Sequence, residues 1–228
     1  MLNDVVLSSY LTKRVDAQRG NYWNLNDDFV VEGWIKSLIK LGLHGIIFHD
    51  GLSLDFIHKW EPIEFIFIEW RTKFTPCEER FEQYAQFLAG RTDITRILMT
   101  DIQDVEFFQN PFTLMIDSNT IYCGSELDMI GNNGWIMNQM FDSYGEITTP
   151  DKQLLNTGIL GGHRDIVCSL LENLNAEITR GVGNPYHDMP AFNRVIYQKN
   201  YKYETGFPLH TRFKEFESSL SGASIRHK

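Results

Sequence analysis

A chain of 228 residues with 43% hydrophobic and 22% charged side chains has the length and apolar content of one folded domain, and too much apolar content for a disordered polymer. Its 30 acidic residues outnumber 21 basic ones for a net charge of −9, which excludes a nucleic-acid binder working through a broad basic surface. Cys77, Cys123 and Cys168 are far apart and form no CxxC pair, so neither a disulfide framework nor a zinc site is expected.

In chain order, VVLSSY over 5–10 reads as a first strand, followed by the polar loop TKRVDAQRGNYW. Residues 28–42 carry apolar side chains at helical spacing, and HGIIFHD over 44–50 is a second strand. GLSLDFIHKW reads as a short helix, IEFIFIEW over 63–70 as a third strand, and CEERFEQYAQFLAG over 77–90 as an amphipathic helix closed by a glycine. TRILMT over 95–100 is a fourth strand that runs into an acidic turn. Strands separated by helices predict an α/β fold with a mostly parallel central sheet flanked by helices, and such sheets bind ligands at the carboxyl ends of their strands. That rule puts Ser8–Tyr10, Asp50 and Asp101–Asp104 on the expected ligand edge. The second half is less regular: FTLMID and TIYCGS over 112–125, a helix near 133–143, LLNTGILGG over 154–162, helices over 163–180 and 188–199, and the closing KYETGFPLHTRFKEFESS. No repeat, low-complexity tract or linker interrupts the chain, so a single domain over 1–228 is expected.

The opening MLNDVVLSSYLTKR lacks a basic region followed by a long apolar run, and stretches such as FIFIEW fall far short of the ~20 residues that span a bilayer. A cytoplasmic setting without a transmembrane segment is the expectation. P-loop, HExxH and GxSxG signatures are absent, and Gly181-Val182-Gly183 is too short for a dinucleotide fingerprint.

Two segments carry chemistry. In RILMTDIQDVEFFQNPF, a strand ends in Asp101 and Asp104, a hard-oxygen pair of the kind Mg²⁺ or Mn²⁺ favours, with positions left open for diphosphate oxygens. In extended chain these two residues face opposite ways, so both reach one metal only if the backbone turns between them; a solvated turn is the alternative. In LLNTGILGGHRD, Gly158, Gly161 and Gly162 suggest close approach of the backbone to a ligand, or else to a neighbouring strand.

Taken in series, these segments resemble the nucleotide-sugar glycosyltransferases of the GT-A fold, of the small type found in bacterial surface-polysaccharide pathways and large DNA viruses. TDIQDVEFFQNPF resembles the family's metal-binding DxD segment, NTGILGG its donor-sugar segment, DMPAFNRVIY its acceptor-side helix and GFPLH its late diphosphate-closing region. Gln103 departs from the DxD spacing. The resemblance implies a nucleotide-binding part over about 1–112 and a donor-sugar and acceptor part over about 113–228. It implies a nucleoside-diphosphate sugar as donor, Mn²⁺ or Mg²⁺ as cofactor, and a glycan or glycoconjugate hydroxyl as acceptor. Ser9, Tyr10 and Thr12 would face base and ribose, and Arg14, Arg19 and Arg80 the base or diphosphate. Asp101 and Asp104 would hold the metal, with His210 completing its shell. Asn156, Thr157, Gly161 and Gly162 would lie along the donor sugar, and Lys214 beside the leaving phosphate. Asp188 would take the acceptor proton in an inverting reaction, with Asp151 as the other candidate. Trp135 and Tyr186 are the aromatics placed to meet a sugar face.

Two rivals stand beside a working transferase. One is a nucleotide-sugar-binding or assembly domain without turnover, which the Gln103 departure keeps in view. The other is a sugar-1-phosphate nucleotidyltransferase, which would need a glycine-rich basic loop where this chain has SSYLTKRVDAQRG.

Overall fold

The computed structural model describes residues 3–16, 20–181, 188–215 and 222–228. Strands β1 (Asp4–Tyr10), β2 (Gly45–His49), β3 (Glu64–Phe67) and β4 (Arg96–Thr100) form, as their apolar runs predict, with helices α1 (Asp28–Leu41), α2 (Leu54–Lys59) and α3 (Pro76–Ala89) between them. After β4 come β5 (Val105–Phe107), β6 (Ile121–Met129), α4 (Gly134–Tyr144), β7 (Gln153–His163), α5 (Arg164–Arg180), α6 (Asp188–Gln198), β8 (Tyr203–Glu204) and β9 (Ile225–His227).

The main sheet has seven strands in the order β3-β2-β1-β4-β7-β6-β8. Pairings β1–β2, β2–β3, β1–β4 and β6–β8 are parallel, while β7 runs antiparallel to both β4 and β6. From β1 the chain therefore moves outward through β2 to β3, then crosses back to lay β4 on the other side of β1. That reversal opens a crevice between the carboxyl ends of β1 and β4, the topological switch point where open α/β sheets bind ligands.

Alternation along β1 divides the core. Leu7 joins Phe81, Tyr84, Leu88, Leu170, Leu174 and Phe192 on the α3/α5/α6 face, and Val6 joins Val31, Trp34, Leu38, Ile47 and Ile159 on the α1 face. Helix α1 is capped by Asp27, whose side chain accepts from Phe29 N–H, and ends at Gly42 with φ 64°. Helix α3 begins with Pro76 after a Thr75/Glu78 capping box. Two buried hydrogen bonds fix the end of β4: Trp34 Nε1–H donates to Thr100 Oγ1 at 2.8 Å, and Ser8 Oγ–H to Thr100 O at 2.7 Å.

Three features add to the sequence reading. Pro111–Thr113 form a 3₁₀ turn, because the Asn110 side chain accepts from Phe112 N–H and starts a helical turn on Pro111. The glycine-bearing segment is an unbroken 11-residue strand, β7. The carboxyl-terminal residues add a strand, β9, which pairs antiparallel with β5. Among the described residues no helix is long and apolar enough to cross a membrane.

Candidate functional site

A cleft of about 760 Å³ opens at the switch point. Ser9, Tyr10 and Leu11 line it from the end of β1, Asp101–Asp104 from the turn after β4, and Leu154, Asn156 and Thr157 from the start of β7. The antiparallel run of β7 explains its share: Thr100 pairs with Ile159, so residues before 159 project past the end of β4. Arg80, Asp188, Lys214, Glu126 and Trp135 also face the cleft.

Arg80 is the hub. It sits on the buried face of α3 with its side chain 9% exposed, ion-paired to Asp101 and 3.3 Å from Asp188 Oδ2. Its Nη2 also reaches Thr157 Oγ1 at 3.3 Å, its Nε–H donates to Cys77 O at 3.0 Å, and Thr157 Oγ1–H donates to Asp188 Oδ2 at 2.9 Å. A guanidinium stays charged even here, so one positive charge is shared between two carboxylates drawn from α6 and the β4 turn. Burial pushes the Asp188 carboxyl up against the pull of Arg80, and it raises the Cys77 thiol as well.

The turn that Asp101 and Asp104 required is present: β4 ends at Thr100, and both residues line the cleft. Asp101 N–H donates to Gly158 O at 2.9 Å, which anchors the turn on β7. Beside its carboxylate lies a residue that sequence reasoning missed. His227 Nε2 is 3.9 Å from Asp101 Oδ2, brought there by the β5–β9 pairing and by Lys228 N–H donating to Asp104 O at 2.8 Å. The imidazole is buried against the Phe213 ring, and among the described residues neither of its nitrogens has a hydrogen-bond partner. Burial lowers its pKa to about 4, so the ring is neutral at pH 7. The only signal in the sequence is the apolar spacing of Ala223 and Ile225 ahead of it in a short polar end segment, too brief to predict the pairing.

Several expected residues serve the scaffold instead. Thr12 is held away by Asp50: Thr12 N–H and Oγ1–H and Lys13 N–H all donate to that buried carboxylate, at 2.9, 3.0 and 2.8 Å. Asp50 is thus a fastener for the loop and not a ligand-edge group. Arg14 stacks on Trp70, 4.1 Å from the ring centroid, and donates to Phe74 O at 2.6 Å. The Tyr10 ring edge lines the cleft, but its hydroxyl bonds Asn24 O and accepts from Asp27 N–H, and burial raises its pKa to about 12.

Gly161 and Gly162 lie at the opposite end of β7, paired with Leu98 and Ile97. A Cβ on Gly161 would meet Ile97 O at 2.3 Å, so this glycine serves strand-to-strand contact. Gly158 is the glycine of the site: a Cβ there would meet Asp101 Oδ2 and His227 Nε2, each at 2.6 Å.

His210 is fully enclosed, its ring nitrogens 2.7 Å from Thr211 O and Cys123 O, and it does not reach the cleft. Asp151 is exposed in the turn before β7, outside the cleft lining. Arg19 and Tyr186 lie outside the described residues. Lys214 reaches the cleft from a left-handed backbone, φ 59°, a conformation that costs a non-glycine residue energy and is found at functional positions.

Among the described residues no group of three or more His, Cys, Asp or Glu side chains is placed to hold a metal ion. Asp101 and His227 nevertheless form an oxygen–nitrogen pair separated by less than twice a ~2.1 Å metal–ligand distance. The buried, unpartnered His227 nitrogens make that pair chemically suited to a divalent cation. The chain matches no protein-family model and no curated protein.

Proposed function

We propose that the chain is a glycosyltransferase of the GT-A type, moving a sugar from a nucleoside-diphosphate donor to a hydroxyl on a glycan or glycoconjugate. The observation that carries this reading is the meeting of three strand ends at the switch-point cleft. Together they supply an acidic turn, Asp101–Asp104, a polar strand start, Asn156–Thr157, and a β1 terminus, Ser9–Tyr10.

In this reading the β1 end and Trp23 receive the base and ribose, and Asn156 and Thr157 the donor sugar. Lys214 balances diphosphate charge, while Arg80, paired with Asp101 and Asp188, holds those two carboxylates in place. Asp101 and Asp104, from the turn that lines the cleft, would hold Mn²⁺ or Mg²⁺, with the His227 imidazole enclosed beside Asp101 and outside the cleft lining. When bound, such a cation supplies charge stabilisation to a departing diphosphate.

One observation favours a second reading, a nucleotide-sugar-binding domain without turnover: the Asp101 carboxylate is already engaged by a protein cation, Arg80. Nucleotidyl transfer is weakly supported, because Lys13 and Arg14 in the loop after β1 turn to Phe67 and Trp70 and do not line the cleft.

The test is a thermal-shift series of nucleoside diphosphates and their sugars, with and without Mn²⁺, on wild type and Asp101→Asn. A ligand at a hundredfold excess over its dissociation constant stabilises the fold by roughly 2.7 kcal/mol. A metal-dependent shift with one nucleotide, lost in the variant, supports the transferase. The absence of any shift refutes it. Donor hydrolysis by a chain that binds separates the transferase from the binding domain.

A further inference from the structure

On the β6 side of the cleft the strand departs from regular pairing. The register of β6 against β7 shifts between Ser125 and Met129, so residues 126–128 form an irregularity of the bulge type. Such distortions re-aim side chains beside binding sites. Three of the carbonyls around it have donors outside the ladder. Gln153 Nε2–H reaches Glu126 O at 2.9 Å and Asp128 O at 2.8 Å, and Phe213 N–H reaches Ser125 O at 2.9 Å. A bulge fastened this way is a fixed part of the fold, and it presents the half-buried Glu126 to the cleft.

The carboxylate itself is oriented. Asn156 Oδ1 accepts from Gly158 N–H at 2.7 Å, a group that can only donate, so the amide cannot be turned over. Its Nδ2–H therefore faces Glu126 Oε1, at 2.5 Å. Among the described residues Oε2 has no hydrogen-bond partner. The rival carboxylates are differently placed. Asp188 is 5% exposed, with Oδ2 accepting from both Thr157 and Arg80, and Asp151 does not reach the cleft. Asp188 Oδ2 is thus committed to two donors in a position nearly closed to an incoming hydroxyl.

We propose that Glu126 is the general base, accepting the proton of the acceptor hydroxyl at Oε2. The proposal rests on the transferase reading. The acceptor O–H bond breaks with its proton passing to Glu126, while the acceptor oxygen bonds to the anomeric carbon of the donor sugar. The bond from that carbon to the diphosphate oxygen breaks, and its electron pair leaves with the diphosphate. A single displacement of this kind inverts the anomeric centre. Burial raises the Glu126 pKa, opposed by the Asn156 hydrogen bond and the Lys214 charge and reinforced by Asp128, which is the direction a base working near neutral pH requires. Asp188, in turn, is a positioning residue that holds Arg80.

The experiment measures nucleoside-diphosphate release from a panel of nucleoside-diphosphate sugars with Mn²⁺, water serving as acceptor, for wild type and Glu126→Gln. Removing a general base is expected to lower turnover by about 100- to 10,000-fold. The nucleoside-diphosphate thermal shift should be unchanged. The melting temperature at pH 7 should be at or above that of wild type, because wild type must ionise a partly buried carboxylate there. Azide carries no proton to remove, so adding it should restore donor consumption in the variant, giving an inverted glycosyl azide. Turnover within tenfold of wild type, a loss that azide does not rescue, or retention of anomeric configuration would each overturn the assignment. A wild-type chain that binds a nucleoside diphosphate yet consumes no donor, even with azide, also overturns it and leaves the binding-domain reading. A wild-type chain that binds no nucleotide refutes the transferase reading itself.

Discussion

Replacing Arg80 by Met removes the cation shared by two carboxylates while keeping much of the side chain's apolar volume. The two carboxylates it leaves are not equivalent. Asp101 is 34% exposed and can be solvated by water, whereas Asp188 is 5% exposed and retains Thr157 as its remaining side-chain donor. Breaking a buried pair from one side costs about 3–5 kcal/mol, and nearly all of that cost falls on Asp188. For a domain of this size each kcal/mol moves the melting temperature by about 2–4 °C, so a drop of roughly 10 °C is expected near neutral pH. Asp188 can relieve the strain by taking up a proton. Its folded-state pKa then rises further above the unfolded value, and the stability so retained is lost as pH rises. The gap between wild type and variant should therefore widen from pH 5 to pH 8. Asp188→Asn should cost less, about 1–2 kcal/mol, because Arg80 keeps Asp101 as a partner. Fluorimetric melts and urea titrations across that pH range read both quantities. An Arg80→Met variant melting within about 2 °C of wild type at pH 8, or one no worse than Asp188→Asn, would refute the charge-hub argument.

Other consequences follow from equally specific contacts. Gly158→Ala places a methyl 2.6 Å from Asp101 Oδ2 and His227 Nε2; overpacking should cost about 1–3 kcal/mol, and any Mn²⁺-dependent shift with a nucleoside diphosphate should vanish. Asp50→Asn keeps one acceptor oxygen where the carboxylate takes four donors, from Thr12 N and Oγ1, Lys13 N and Trp70 Nε1; a loss of about 3 kcal/mol in urea titrations is expected, with faster proteolysis between β1 and α1. Burial lowers the pKa values of His49 and His210, so the unfolded chain binds protons more readily than the folded one below pH ~6.5. Their contribution is complete above that value and lost as pH falls through the folded values: the urea midpoint should drop between pH 7.5 and 5.5, and His210→Gln should flatten that slope.

The amino-terminal half was legible because local chemistry dictates it. Apolar runs between turn residues can be buried on both faces only as inner strands of a covered sheet, and the periodicity of α1 and α3 leaves one buried stripe each. The sequence of RILMTDIQD was enough to place acids at the end of β4, since a strand buried throughout must stop where charges begin. Arg80 is ambiguous in the sequence, because an arginine on an amphipathic helix is usually solvated. Only the approach of α6 and the β4 turn, residues 188 and 101, makes it a buried cation.

What could not be read was non-local. His227 lies in the short basic end segment SIRHK, and its burial depends on pairing with β5 across more than a hundred residues. Three-residue strands have too little pattern to predict such a partner. His210 drew attention through its GFPLH setting, yet burial with carbonyls at both ring nitrogens removes it from any ligand. Glu126 sits in SELDM, an ordinary polar strand end, and becomes notable only because Gln153 fastens the bulge and Gly158 fixes the Asn156 amide that orients it. The two halves of the site thus differ in kind. Residues at the ends of β1 and β4 are placed by the order of the strands, and a sequence pattern reveals them. Glu126 and His227 are placed by a register shift and a terminal strand pairing, so their roles depend on side-chain partners that lie far away along the chain. Variants of Gln153, which lies outside the cleft lining, should consequently disturb the chemistry of the cleft without touching anything bound in it.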